Sequence, residues 1–313
     1  IRHNTKVVKQ MQYCANPQTN LQQLLDNVEV GATILLERGI YRQKLEINKP
    51  VTIVGKGDET QIVWDDYAKK IGDDGLELVT FRTYTVAVCA DNVTLKNLAI
   101  VNDKGNSPTF GQEVALTVYG DNFVAENCTL VSEQDTLFCG PLPDDLIERY
   151  DGFLKNKLRQ KKPCKQIFSN CTLKGTVDFV FGCGDTLFEN CNIIYRNDSR
   201  KSGFVVAPAH AQEQAIGFVF HNCDLACEDG VGNESIYLAR PWRDYGKATF
   251  VNCRYGKHIT PLGFDKWNDT NRDKTARFAE YGNTQTGRVA WSKIATKQEV
   301  ETLLGYFGRQ LDE

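Results

Sequence analysis

Five times along this 313-residue chain a cysteine stands directly after an asparagine: Asn127-Cys128, Asn170-Cys171, Asn190-Cys191, Asn222-Cys223 and Asn252-Cys253. Each pair is preceded by apolar residues and followed by a short alternating or β-branched run, such as Thr129-Leu130-Val131, Asn192-Ile193-Ile194 or Asp224-Leu225. Runs of that kind read as strands, and a shared landmark marks equivalent positions in stacked coils. Successive pairs lie 43, 20, 32 and 30 residues apart. Unequal spacing suits a solenoid whose coils carry loops of different length on one side, and a parallel β-helix fits. Val51-Thr52-Ile53-Val54, Val93-Thr94-Leu95 and Leu98-Ala99-Ile100 carry the pattern toward the N-terminus, so the coils span most of the chain.

In such a stack the cysteine serves as a small buried hydrophobe and the asparagine satisfies backbone groups of the turn. Disulfides are the competing reading. The chain has 11 cysteines, an odd number, and no paired Cys-x-x-Cys spacing of the metal-binding kind.

A solenoid exposes apolar ends and needs caps. Leu21, Leu24, Leu25 and Val28 fall at helical spacing after the capping candidates Thr19 and Asn20, and a second helix is predicted over 296–307 with Val300, Leu303, Leu304 and Phe307 on its apolar stripe. No Pro/Gly/Ser-rich linker divides the chain, so one domain over 1–313 is expected. The one compositional break lies at 140–164. It opens with Gly140-Pro141-Leu142-Pro143-Asp144-Asp145 and ends in Lys155, Lys157, Arg159, Lys161 and Lys162. It reads as an inserted excursion, either a solvated charged helix or a basic arm beside a cleft for an acidic substrate.

Lys plus Arg number 37 against 40 Asp plus Glu, a net charge of -3, too balanced for a nucleic-acid binder acting through global charge. Charges and glycines interrupt every hydrophobic run well short of the ~18 residues of a membrane span. A soluble monomer is expected. The chain starts at Ile1 without an apolar leader, so a targeting peptide is expected to be absent or removed.

Two aspartates sit in apolar, strand-like company: Gln134-Asp135-Thr136-Leu137-Phe138 and Val177-Asp178-Phe179-Val180-Phe181-Gly182. A carboxylate there is costly unless paired or functional, the bland alternative being two structural turn residues. Together with Gly111-Gln112-Glu113-Val114-Ala115-Leu116 and Tyr237-Leu238-Ala239-Arg240-Pro241-Trp242, in this order, the two segments resemble the signatures of the pectin methylesterase (pectinesterase) family. Weaker likenesses, from Arg38-Gly39-Ile40-Tyr41 to Arg288-Val289-Ala290-Trp291, extend the resemblance nearly end to end.

The resemblance implies an all-β, right-handed, single-stranded parallel β-helix with a long shallow cleft, no cofactor and no metal. It implies hydrolysis of the methyl esters of homogalacturonan to carboxylate and methanol. Position by position, Asp178 matches the family's nucleophile, Asp135 its acid/base, Gln134 and Gln112 its oxyanion-stabilising glutamines, and Arg240 the partner of the nucleophile. Trp242 matches an aromatic floor for the sugar. Phe138, Tyr119 and Thr117 are weaker candidates for substrate contact.

Residue chemistry supports those roles. Two neighbouring carboxylates resist ionising together, so one stays protonated while a guanidinium beside the other holds it charged. Arg240 cannot deprotonate and offers two parallel hydrogen bonds, which also orient the Asp178 carboxylate.

Three positions depart from the family pattern: Glu113 replaces an Ala, Thr117 an Arg, and Ala239 a Gly. None removes a catalytic group, and effects on substrate contacts or packing are expected. Two other readings compete. A β-helix lyase or glycosidase on the same polymer needs other equipment, a lyase gathering acidic Ca²⁺ ligands and a basic side chain. A non-catalytic carbohydrate-binding solenoid has no need of two mutually repelling carboxylates. His3, His210, His221 and His258 are scattered, and no Gly-x-Ser-x-Gly elbow accompanies them, so they read as surface or core residues. The polymer points to a secreted protein and the unpaired cysteines to the cytoplasm.

Overall fold

The computed structural model describes residues 11–105, 107, 109–150, 152, 164–198, 200–282 and 285–311. The basic run from Lys155 to Lys162, His3 and Asn283 lie outside them. Short strands stack in parallel into three sheets of eleven, eight and seven strands among the described residues, and the coils between the two ends contribute to all three in turn. This is a parallel β-helix. The register is continuous from coil to coil: Thr129, Thr172, Asn192, Asp224 and Arg254 lie one above another along the eight-stranded sheet.

The Asn-Cys motif marks the corner where a strand of the eleven-stranded sheet hands over to one of the eight-stranded sheet. Asn127, Asn170, Asn190, Asn222 and Asn252 all have φ between 51 and 54°, as does Asn97 at 53°. That left-handed conformation turns the chain within one residue, and asparagine adopts it more readily than other side-chain-bearing residues. Asn127 Nδ2 also donates to Asn97 Oδ1 at 3.1 Å, which ties these two corners together. Each following cysteine points inward. The thiols of Cys191, Cys223 and Cys253 donate to the carbonyls of Phe168, Phe188 and Phe220 on the coil below, at 3.3 to 3.4 Å. No disulfide joins cysteines among the described residues, which decides between the two readings of the repeat.

Inside the coils Phe168, Phe188, Phe220 and Phe250 form one continuous stack, with centroids 5.1, 4.6 and 4.8 Å apart and planes within 16° of parallel. All four are fully buried. Burial of each phenyl is worth about 2–3 kcal/mol, with roughly 0.5–1.5 more for each ring pair. The repeat that sets the turns thus also sets this column, because equal rung positions superpose equal side chains.

Helix Leu21–Asn27 begins at Asn20, whose side chain accepts from Gln23 N at 2.9 Å, and its Leu21 and Leu25 cover the N-terminal end of the core. Helix Lys297–Tyr306 starts with a reciprocal cap between Thr296 and Glu299. Its placement differs from an end cap. Val300, Leu303 and Leu304 pack with Leu187, Val219 and Val251 on the outer face of the eleven-stranded sheet, because those outward positions are themselves apolar and need a cover. No helix among the described residues is long and apolar enough to cross a membrane.

The seven-stranded sheet is also apolar on its outer face, and the loops fold over it. Phe81, Tyr84, Leu142 and Tyr150 join Ala87, Phe138, Phe181 and Ala207 in a second cluster. The described part of the excursion, including helix Asp144–Ile147, therefore packs against the sheet rather than standing in solvent; Arg243 anchors it through a two-point pair with Asp145 at 3.1 and 2.5 Å. His210, His221 and His258 are core residues, each at most 2% exposed.

Candidate active site

Asp135 lies two residues before the coil's strand Leu137–Cys139, and Asp178 lies in strand Val177–Gly182 on the next rung. The pairing of Leu137 with Val180 and Phe138 with Phe181 brings the two aspartates level, and Asp135 N–H donates to the Val177 carbonyl at 3.0 Å. Both have left-handed backbone, φ 65° and 51°. Held so, a residue with a side chain costs about 1–3 kcal/mol, and strain of this kind collects at functional sites. The pairing with the next strand slips between Val177 and Val180, a bulge at the position of Asp178. Bulges re-aim side chains. Each aspartate keeps a small exposed surface, 8% for Asp135 and 7% for Asp178.

Arg240 follows strand Ile236–Ala239 and reaches back to Asp178 with both arms of its fork, Nε to Oδ1 at 2.9 Å and an Nη to Oδ2 at 2.6 Å. The guanidinium is sandwiched, its central carbon 3.8 Å from the Phe204 ring centre and 4.0 Å from that of Trp267. A planar cation between two ring faces cannot swing away, so the carboxylate it grips is fixed as well.

Burial raises the pKa of Asp178 from the ordinary carboxylate value, and the hydrogen bonds and charge of Arg240 oppose the rise. Arg240 thus limits an upward shift rather than producing a downward one, because the site is withdrawn from water. Asp135 is pushed well above the ordinary value, first by burial and then by the charge of Asp178. Of the two, Asp135 is the better proton holder and Asp178 the better anion. Asp135 also takes a side-chain hydrogen bond from Gln134, and the charge of Arg200 acts on both aspartates. Gln112 and Gln134 are half-buried on adjacent rungs, tied by the donation of Glu113 N–H to the Gln134 carbonyl at 3.0 Å.

Of the aromatic and polar positions expected at the substrate surface, Trp242 alone keeps substantial exposed surface. It is half-buried, with its ring edge-on to Phe181 at 5.8 Å. Phe138 and Thr117 are fully buried and Tyr119 is 5% exposed, so they offer a sugar little or no surface here. Leu142 and Tyr150 lie over that part of the sheet, with Phe81 packed against both Phe138 and Tyr150 at 4.7 and 4.9 Å. Phe204, Trp267 and Arg200 were not legible in the sequence. Trp267 sits 27 positions beyond Arg240 in a segment without a motif, and only folding lays it on the guanidinium.

The pectinesterase family model matches residues 13–141 and 159–310. Pectinesterase QRT1 of Arabidopsis thaliana is 32% identical over 289 residues, covering 87% of this chain and 68% of its own length. Several other curated relatives are longer, and this chain spans as little as 38% of the length of one of them. Among solved structures, the pectin methylesterase from Yersinia enterocolitica is 27% identical with a TM-score of 0.73, over 89% of this chain and 94% of that one. A pectin methylesterase in complex with a hexasaccharide is 24% identical with a TM-score of 0.74, over 90% of both chains.

Proposed function

The chain belongs to the pectinesterase family, and on that premise we propose that it hydrolyses methyl esters of polygalacturonate to carboxylate and methanol, with Asp178 as nucleophile and Asp135 as acid and then base. The observation that carries this reading is the pair of left-handed aspartates on adjacent rungs, one of them gripped by the stacked Arg240 fork. Two carboxyl groups with unequal proton affinity in one site are what a double-displacement ester hydrolysis requires.

An Asp178 oxygen attacks the ester carbonyl carbon, and the electron pair displaced onto the carbonyl oxygen is stabilised by the amide N–H groups of Gln112 and Gln134. As the carbonyl re-forms, the bond to the methoxy oxygen breaks and the leaving methoxide takes the proton of Asp135, giving methanol. An anhydride joins Asp178 to the galacturonate. Ionised Asp135 then removes a proton from water as the water oxygen attacks the galacturonosyl carbonyl. Cleavage of the anhydride returns Asp178 as carboxylate, and Asp135 is protonated again. Arg240 keeps one Asp178 geometry through both halves, and Trp242 offers a half-exposed ring beside the reacting sugar.

The test is methanol release from highly methylated pectin by the unaltered chain and by Asp178→Asn, with unsaturated product followed in parallel. Methanol without unsaturated product, lost in the variant, is expected. Near-normal methanol release by Asp178→Asn sinks the mechanism, and unsaturated product sinks the reaction class.

A further inference from the structure

The departure at Glu113 places an acid where burial is nearly complete. Its residue is 1% exposed, and Oε2 has no hydrogen-bond partner among the described residues. A carboxylate left so would cost several kcal/mol, whereas a carboxylic acid is tolerated. The groups whose charges reach it are Glu133, Lys104, Arg196 and Arg200. Glu133 is itself 7% exposed and has the same sign. Each cation is engaged elsewhere. Arg196 pairs with Glu133 at 2.5 Å, Arg200 with Asp198 at 3.0 Å and with Thr176 Oγ1 at 3.1 Å, and Lys104 lies over the rings of Tyr67 and Phe110 at 5.0 and 4.9 Å. Among the described residues no cation forms an ion pair with Glu113, so these charges act on it only from a distance.

The backbone ties this acid to the site. Glu113 follows Gln112 and Glu133 precedes Gln134, so the two glutamates flank the two glutamines assigned to the oxyanion. Glu113 N–H donates to the Gln134 carbonyl, and the Ser132 hydroxyl donates to the Glu113 carbonyl. Any force that separates the Glu113 and Glu133 side chains therefore acts on the rung contact holding Gln112 and Gln134 together.

We propose that Glu113 is a positioning residue: its protonated side chain, wedged beside Glu133, keeps the Gln112 and Gln134 segments in register, and loss of that proton drives the two rungs apart. The inference rests on the hydrolytic reading above for its effect on rate, but not for the buried proton itself. Burial, followed by the charge of Glu133, raises the Glu113 carboxyl to about 8, which places the transition at mildly alkaline pH. The folded chain then holds a proton that the unfolded chain releases near 4.5. Stability falls as pH rises from that value to about 8, and a variant without the acid is spared the fall.

The experiment compares the unaltered chain with Glu113→Gln, and with Glu113→Ala in case the amide disturbs packing. Thermal midpoints are measured from pH 5 to 9, and kcat/KM for methanol release over the same range. The midpoint difference in favour of the variants is expected to widen up to about pH 8 and then level. The unaltered chain is expected to lose about fivefold in kcat/KM between pH 8 and 9, a loss that the variants lack. A midpoint difference that is flat with pH overturns the buried proton. A widening difference with superimposable kcat/KM profiles overturns the positioning role, assigns the alkaline limb to Asp135 and leaves the hydrolysis intact. If the unaltered chain releases no methanol at any pH, the positioning role falls with the reaction, and the midpoints alone then report on the buried proton.

Discussion

Replacing Arg240 gives the sharpest test of how the site is held. Its fork makes two charge-assisted hydrogen bonds to Asp178, at 2.9 and 2.6 Å, and its plane is stacked between Phe204 and Trp267. Arg240→Met removes the positive charge and leaves Asp178 as an unpaired anion in a site where it is 7% exposed. Breaking a buried pair in this way costs about 3–5 kcal/mol. If that cost falls on the ionised nucleophile, kcat/KM drops by roughly 10² to 10⁴. The pH dependence has a definite sign. Burial already raises Asp178, and Arg240 opposes it, so removing the guanidinium lifts the Asp178 pKa further and moves the acidic limb of kcat/KM to higher pH. Arg240→Lys keeps a charge but loses the second hydrogen bond and the stacked plane, a loss of about 1.5–3 kcal/mol, or roughly ten- to a hundredfold in rate, with a smaller displacement of the limb. Both are read from initial rates of methanol release on methylated pectin between pH 4 and 9. An Arg240→Met chain that is folded, within tenfold of the unaltered rate and unshifted in its acidic limb would show that Asp178 does not depend on this pairing.

Other consequences follow from the same geometry. Asp135→Asn removes the proton that methoxide needs, and kcat on pectin is expected to fall at least a hundredfold, whereas an ester with a much better leaving group should suffer less; equal losses on both would argue against an acid role. Trp267→Ala uncovers one face of the guanidinium, and a loss of about 0.5–2 kcal/mol, a few- to thirtyfold in kcat/KM, is expected with KM nearly unchanged. Phe220→Ala empties the middle of the phenylalanine column and should cost about 3–5 kcal/mol by urea denaturation, with no specific effect on the pH profile. Asn190→Ala, at φ 54°, should cost about 1–2 kcal/mol, and Asn190→Gly should cost less; an order reversed in the melting curves would contradict the corner role.

Several features could be read from the chain alone because they depend on local or repeating chemistry. The Asn-Cys repeat works at this level: a left-handed corner and a small inward side chain are demanded at the same place on every coil, so the sequence has to repeat them. The two helices were marked by their caps and apolar spacing, and the aspartates by the oddity of a carboxylic acid within a strand of phenylalanines and valines. What the sequence could not give was anything decided by what folds over or beside those coils. Phe138 and Tyr119 were expected at the surface and are covered by the excursion and the Phe81 segment.

Folding also decided the proton affinities. Arg240 marks a charge partner for Asp178 in any reading of the motif, but only burial of the assembled site turns its effect into a restraint on an upward shift. Trp267 and Phe204 come to the guanidinium from different coils, and the buried Glu113 meets the charge of Glu133 from the next rung and that of Arg196 from a coil further on. Sequence determines what each rung must be made of, since neighbouring residues and repeats impose the same local demands. Tertiary structure determines which side chains lose water and whose charges they then meet, because desolvation and Coulomb forces depend on distance in space and not along the chain.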